Sequence, residues 1–515
     1  MSYARATDYE SRAEAGSGLV TVLAMTAVVT SLVGVVLALF VTQHRFIQRD
    51  VQRTAALYLA EAAVYQTLAR LHAEPSWRPA GEVVAPLPFP RPSRLAQQGV
   101  GEPTRPETLR VWARPFGGVW QIRADAQVGS ATASLYTRFG ESPTRHFDQA
   151  LALGDTLSAL TLAADARIVG GVRMGGQGVR IAPLRGRPFR GSIEGETVQV
   201  REDPLPRFAT LLFDETMDRL DGYLEEVEQL FNAQSPSSQD ERGMLAPWPS
   251  ALDPDGSDIA AEAQFVDSLE VFGGQGAVAL GREDQILTQR PAVVLVIGDL
   301  TVTGPLNLAP GSLIVATGKL AIGPDVVASD VLMYAQTLEV SGATLQGQFL
   351  SRTGTRLDGG SRLTYPSVVY VEGEDTAPVR VDGRRPDVPH GLLVADASVD
   401  GTLLYPALGG VTAGVSATVQ LTAEARIRGA VYANTRTEAA ARLDGTLLTR
   451  QLYFYEAPAT YVNWLRDGTL NRSARPESFV LPVGFDAPPS LRRTDVPRYE
   501  VVSWREHITT ARTDG

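Results

Sequence analysis

Residues Leu19 to Val41 (LVTVLAMTAVVTSLVGVVLALFV) form an uncharged apolar run, and no other stretch limits the fold as much. As a helix at about 1.5 Å per residue the run reaches about 35 Å, against a bilayer core of about 30 Å. It is too long for the apolar core of a secretory signal, and Thr42, Gln43, His44 and Arg45 follow it in place of a small-residue cleavage site. Beyond it Phe46, Val51, Ala55, Leu59, Ala62, Leu68 and Leu71 recur at helical spacing, and Pro75 marks a stop. One helix from Leu19 to His72, about 80 Å long, is therefore expected. Everything from about Glu74 onward is expected outside the lipid. A plain anchor with a helical stalk and a filament-forming helix both fit this pattern. Flanking charge does not settle orientation. Arg45, Arg49 and Arg53 slightly outnumber the leader's Arg5 and Arg12, which on its own favours a cytoplasmic body.

At 515 residues there is room for one large or two to three ordinary domains besides the anchor. The net charge of -11 argues against nucleic acid as a partner, because phosphate contacts need a basic face. With no cysteine, disulfides, thiol nucleophiles and thiolate metal sites are excluded. Lys319 is the only lysine, so lysine-dependent chemistry is excluded elsewhere.

Residues 74–107 read as a Pro-rich linker. Thr108 to Phe139 alternate as three strands of a small antiparallel module (108–145), with a turn at Gly117-Gly118. From 146 a short motif recurs, Ala-x-aliphatic-x-Gly. Its copies are Ala166–Gly170, Ala343–Gly347, Ala397–Gly401, Ala425–Gly429 and Ala441–Gly445. Three runs (293–304, 312–323 and 331–342) also repeat at about 19 residues. Short strands and Gly corners at such periods predict a parallel β-helix, with aliphatic side chains stacked inward. The expected fold is thus mainly β: a long N-terminal transmembrane helix, an antiparallel meander, then a β-helical solenoid with a helical insertion. The solenoid falls into sections 146–375 and 376–484, broken near 372–387, with a C-terminal tail at 485–515. The insertion at 214–232 puts Met217, Leu220, Leu224, Val227 and Leu230/Phe231 on one face, as a helix covering the solenoid's flank would.

Candidate chemistry is sparse, and no catalytic residue, metal ligand or cofactor is assigned. His44, His72, His146, His390 and His507 lack ligand spacing. Gly175–Gly178 and Gly273–Gly276 read as turns. Asp253, Asp255 and Asp258 cluster oxygens around a Gly, but the spacing is wrong for a calcium loop. Asp400, Asp444, Arg426 and Arg428 fall in rungs, where structural pairing is expected before catalysis. Trp464, Tyr453, Phe454 and Tyr455 are expected to cap an exposed last turn of the solenoid.

The segment Glu14-Ala15-Gly16-Ser17-Gly18-Leu19-Val20 resembles the leader junction of type IV pilin-like proteins, in particular PilX-type minor pilins. The helix around Ala60-Glu61-Ala62 resembles the same family, and so, less specifically, do Tyr461–Gly468 and Phe479–Pro482. The resemblance implies a prepilin peptidase cut between Gly16 and Ser17, with Gly18 as the alternative. It implies a membrane helix over Leu19 to Val41 within 17–73, and a leader at 1–16. Thr21 stands where major pilins carry Glu, which fits a minor subunit. Implied partners are other pilins, inner-membrane pilus assembly proteins, the lipid bilayer and the peptidase. The implied location is the inner membrane, single-pass, with the body extracytoplasmic and carried in a pilus or secretion pseudopilus. The expected role is structural and non-enzymatic, as a priming or tip subunit. A membrane-anchored adhesin, a tethered polysaccharide-acting enzyme and a cytoplasmic scaffold on a plain anchor stay open as alternatives.

Overall fold

The computed structural model describes residues 7–74, 77–83, 108–175, 177–201, 203–233, 245–247, 259, 262, 265, 270–281, 286–373, 393–407, 418–486 and 499–510. The protein is mainly β, with a long N-terminal apolar helix, α1 (Thr7–Ala73), an antiparallel sheet and a large, mostly parallel sheet. Two compact units emerge. One comprises Met1–Trp112, Ile122–Tyr136 and Arg505–Gly515, and the other Ala113–Gln121 and Thr137–Trp504.

The antiparallel sheet has the strand order 80–83, 108–116, 119–128, 131–141, 499–510. Its three central strands follow from alternation: Leu109, Val111, Ile122, Ala124, Ala131, Ala133 and Leu135 are buried. Gly117 takes a positive φ of 58° in the first turn. Both edge strands are additions to the sequence reading. Ala80–Val83 lies within the segment read as linker, and Tyr499–Thr510 within the segment read as an unpatterned tail.

In the larger unit, parallel pairing runs in three ladders. The first is carried by a row of apolar side chains that pair in succession: Phe272, Val294, Ile314, Met333, Phe349, Val369, Leu403, Val431 and Leu447. Leu447 then pairs with Leu151, Leu151 with Val172, and Val172 with Thr197. The chain's earliest strands of this unit therefore stack beyond its latest ones. This corrects the expectation that the strands around Tyr453 end the stack. The turn containing them is internal, since 464–466 pairs with 160–163 and 469–471 with 167–169. The aromatics form a side hairpin instead: 453–456 pairs with 459–462, Phe454 stacks on Tyr461 at 4.5 Å, and Trp464 meets Tyr461 edge-on at 5.0 Å.

The second ladder aligns Leu300, Leu320, Leu338, Thr355, Leu393, Val419 and Thr437. The third aligns Leu345, Leu363, Val399, Ile427, Leu443, Leu470, Ile168 and Ile193. Inward side chains of all three share one core. The recurring Ala-x-aliphatic-x-Gly motif is the third ladder with its corner. At Gly401 (φ 159°) and Gly429 (φ 146°) the corner passes so close to the preceding turn that a Cβ would strike the carbonyl oxygens of Ser367 and Gly401 respectively.

The first ladder is buried on both faces, which explains its unbroken apolar runs. Its outer side chains, among them Leu295, Val315, Leu332, Tyr334, Tyr370 and Leu404, belong to a second core. Helix α2 (Leu211–Ala233) contributes Phe213, Met217, Leu220, Tyr223, Leu224 and Val227 to that core. This is the flank-covering helix expected from the sequence.

Candidate functional site

α1 is one unbroken helix of 67 residues, about 100 Å long. Gly16 and Ser17 lie inside it, with side chains outside the described set. Leu19 and Val41 bound a stretch in which every residue is exposed, and exposure continues to Val51. Among the described residues it is the one helix long and apolar enough to cross a membrane. Apolar solvent suits its backbone, whose hydrogen bonds close within the helix. Three of its hydroxyls are also satisfied internally: Thr26 donates to the Val22 carbonyl, Thr30 to Thr26 and Thr42 to Ala38, at 2.7, 2.7 and 2.8 Å.

Past the apolar run the helix becomes two-faced. Ala56, Ala60, Ala63, Thr67 and Leu71 recur every three to four residues and are buried. Gln52 sits on the same side and accepts from the Ser130 hydroxyl at 3.2 Å, which ties the helix to the turn at Gly129. At 100° per residue, Ile47, Val51, Tyr58 and Tyr65 fall on the opposite side, and they are 63, 62, 60 and 57% exposed. Sequence periodicity located the helix but merged these two faces. Val51 and Leu59 were read as one stripe, yet Val51 is exposed and Leu59 buried.

The rung charges do come together. Asp400, Arg428 and Asp444 occupy successive positions of one row. Arg428 reaches Asp400 at 3.5 Å, and Arg442 reaches Asp444 at 3.3 Å. Each acid has its own guanidinium, an arrangement that pairs charge rather than freeing a carboxyl for proton transfer. Among the described residues no three His, Asp or Glu side chains cluster as metal ligands. Asp253, Asp255, Asp258 and His390 lie outside the described residues.

Two polar clusters escaped sequence reasoning, because their members are far apart in the chain. Glu262 accepts from Arg114 and from the Tyr223 hydroxyl (2.8 Å), and Arg219 lies 3.7 Å away. Burial alone would raise the Glu262 carboxyl, but Arg114 and then Arg219 outweigh it and hold it below the ordinary range. Burial pushes the Tyr223 hydroxyl far up, with the Glu262 charge adding to the shift. The second cluster joins α2 to the first ladder. Arg352 pairs with Asp221 and donates to the Tyr334 hydroxyl at 2.6 Å, while Tyr334 donates to Asp221 at 2.9 Å.

No family model and no curated protein matches this sequence. Among solved structures, the crystal structure of the competence-associated pilin ComZ from Thermus thermophilus aligns over 89% of this chain and 98% of its own. The identity is 11% and the TM-score 0.18, a likeness that carries no argument about this chain.

Proposed function

We propose that the chain is a membrane-inserted, pilin-like structural subunit without enzymatic activity, of the PilX-type minor class. One observation carries this reading. A single unbroken helix is lipid-compatible at its start, holds its own sheet on one face farther along, and leaves Ile47, Val51, Tyr58 and Tyr65 bare on the opposite face. A simple anchor needs only the first of these. A helix that leaves the bilayer to pack among like helices needs all three. The leader resemblance supports cleavage between Gly16 and Ser17 by a prepilin peptidase. In this reading the body faces outward from the inner membrane, other pilins and the assembly machinery engage the helix, and the subunit primes or tips the fibre. The three ladders are read as the faces of a β-helix, displayed as the bulk of the subunit.

The test is the N-terminal mass of protein recovered from membranes, with and without the peptidase, joined to fibre recovery of Tyr58→Ser/Tyr65→Ser. Both tyrosines are exposed, so folding is expected to be unchanged. A start at Ser17 and at least tenfold loss of the variant from sheared fibres support the reading. An intact leader with no fibre association overturns it.

A further inference from the structure

The stack of ladders has two ends, and they differ. At the end begun by Glu270–Gln275, strand 246–247 pairs with 272–273, and Leu287 of the short helix 286–289 is buried in the core, its carbonyl accepting from Ala309 N–H at 3.0 Å. At the other end the last turn of chain supplies one terminal strand per ladder. Strand 179–181 pairs with 160–162, 192–194 with 167–169, and 197–199 with 172–174.

The bonds there face one way. Val172 N–H donates to the Glu196 carbonyl (2.9 Å), Val200 N–H to Met174 (2.8 Å) and Gly170 N–H to Glu194 (2.7 Å). Backbone groups alternate sides along a strand, so those of Thr197, Gln199 and Ile193 point away from the stack. Ser192 to Gln199 are half-buried or exposed, with no residue fully covered. The core behind them is only partly roofed: Val179, Phe189 and Ile193 pack against it half-buried, and Ile181 is 63% exposed. A cleft of about 470 Å³ opens beside this edge, lined by Thr156, Gln199, Val200 and Arg201. Stacked-repeat folds need a cap on each terminal unit, and an end that none of the described segments covers is expected to meet a partner.

Charge says which kind. Arg187, Arg190 and Arg201 are exposed, and among the described residues none is paired with a carboxylate. Of the acids in the described terminal turn 179–201, Glu194 is bound to Arg167 at 2.9 Å, which leaves Glu196 as the opposing charge there. A rim this basic, in a chain of net charge -11, selects an acidic partner.

We propose that this open end is a strand-addition site for an extended acidic polypeptide segment of a partner protein. Its backbone would pair with Thr197 and Gln199, its alternate apolar side chains would cover Ile193 and Phe189, and its carboxylates would meet Arg187, Arg190 and Arg201. The proposal goes beyond the membrane role and does not depend on it.

The probe is a synthetic peptide, Thr-Val-Asp-Val-Glu-Val-Thr, added to full-length protein in detergent micelles. Binding is read by fluorescence anisotropy and by amide exchange of 192–199. At saturation, exchange at Thr197 and Gln199 is expected to slow at least tenfold. N-methylation of alternate peptide nitrogens, and separately R187Q/R190Q, are each expected to weaken binding at least tenfold with the protein's thermal unfolding unchanged. Equal affinity for the N-methylated peptide would overturn strand addition. Protection of these amides without peptide, in step with dimer formation, would assign the edge to a second copy instead. Binding of alginate with no amide protection would make it a surface for acidic polysaccharide, and the proposal would fail.

Discussion

Glu262 shows how one side chain can hold a junction that no local pattern announces. It is buried, and the guanidinium groups of Arg114 and Arg219 keep it ionised. A carboxylate whose folded pKa lies below its unfolded value binds fewer protons when folded. The stability it contributes is therefore complete above the unfolded value near 4.5 and disappears as pH falls through the lower folded value. Neutralising the residue strands two arginines, a change that costs about 3 kcal/mol in buried pairs. The Glu262→Gln variant is expected to lower the unfolding free energy from urea denaturation at pH 7 by that amount, and to lose less stability than wild type on acidification below pH 4.5. Parallel acid limbs for the two proteins, followed by tryptophan fluorescence, would show that Glu262 does not carry this dependence.

At the scale of single elements, α2 is held by two different kinds of force. Phe213 stacks on Tyr370 at 4.1 Å within the apolar face, and Arg352 reaches from the first ladder to Asp221 and Tyr334. The apolar face accounts for why the helix lies there, and the polar bridge for its register along the ladder. The bridge is partly exposed, so its share is about 1 kcal/mol. For Arg352→Leu, amide exchange across 211–233 is expected to quicken about fivefold while the amides of 313–322 stay unchanged. Uniform quickening in both would mean that the bridge supports the whole unit. α2 was legible in the sequence because its apolar face repeats at helical period. The third ladder was legible because a backbone corner that excludes Cβ forces Gly into the same column at Gly347, Gly401 and Gly429. Strand 499–510 carried a weaker signal in Val501, Val502, Trp504 and Ile508, and Pro488, Pro489 and Pro497 masked it. The two faces of α1 beyond Val41 were not separable, because Val51, Tyr58 and Leu59 are all apolar and only the placement of the sheet tells which is covered. Glu262 and Arg114 leave no mark in any window of sequence short enough to read.

For the whole molecule, the order of stacking is the property that sequence patterning conceals. Pairing of Leu447 with Leu151 joins strands separated by most of the body of the chain, and parallel partners need no turn between them to announce the contact. The consequence is thermodynamic. Residues 149–174 lie between the turn at 442–471 and the terminal turn at 179–199, so the side of the stack that joins them to the rest depends on a segment made last. The stack is then expected to complete itself late, with the first-made strands of this unit waiting for the last. Leu447 is fully buried in the row between Val431 and Leu151, and truncating it to Ala should cost about 2–5 kcal/mol. If the joint is the weak plane of the stack, Leu447→Ala should open both sides together: exchange should quicken in 149–174 and in 442–452 by the same factor. The ladder from 293 to 340, several turns away, should keep wild-type protection. Loss of protection confined to 442–452 would mean that the early strands hold themselves, and the stack would then be two structures in contact rather than one continuous one.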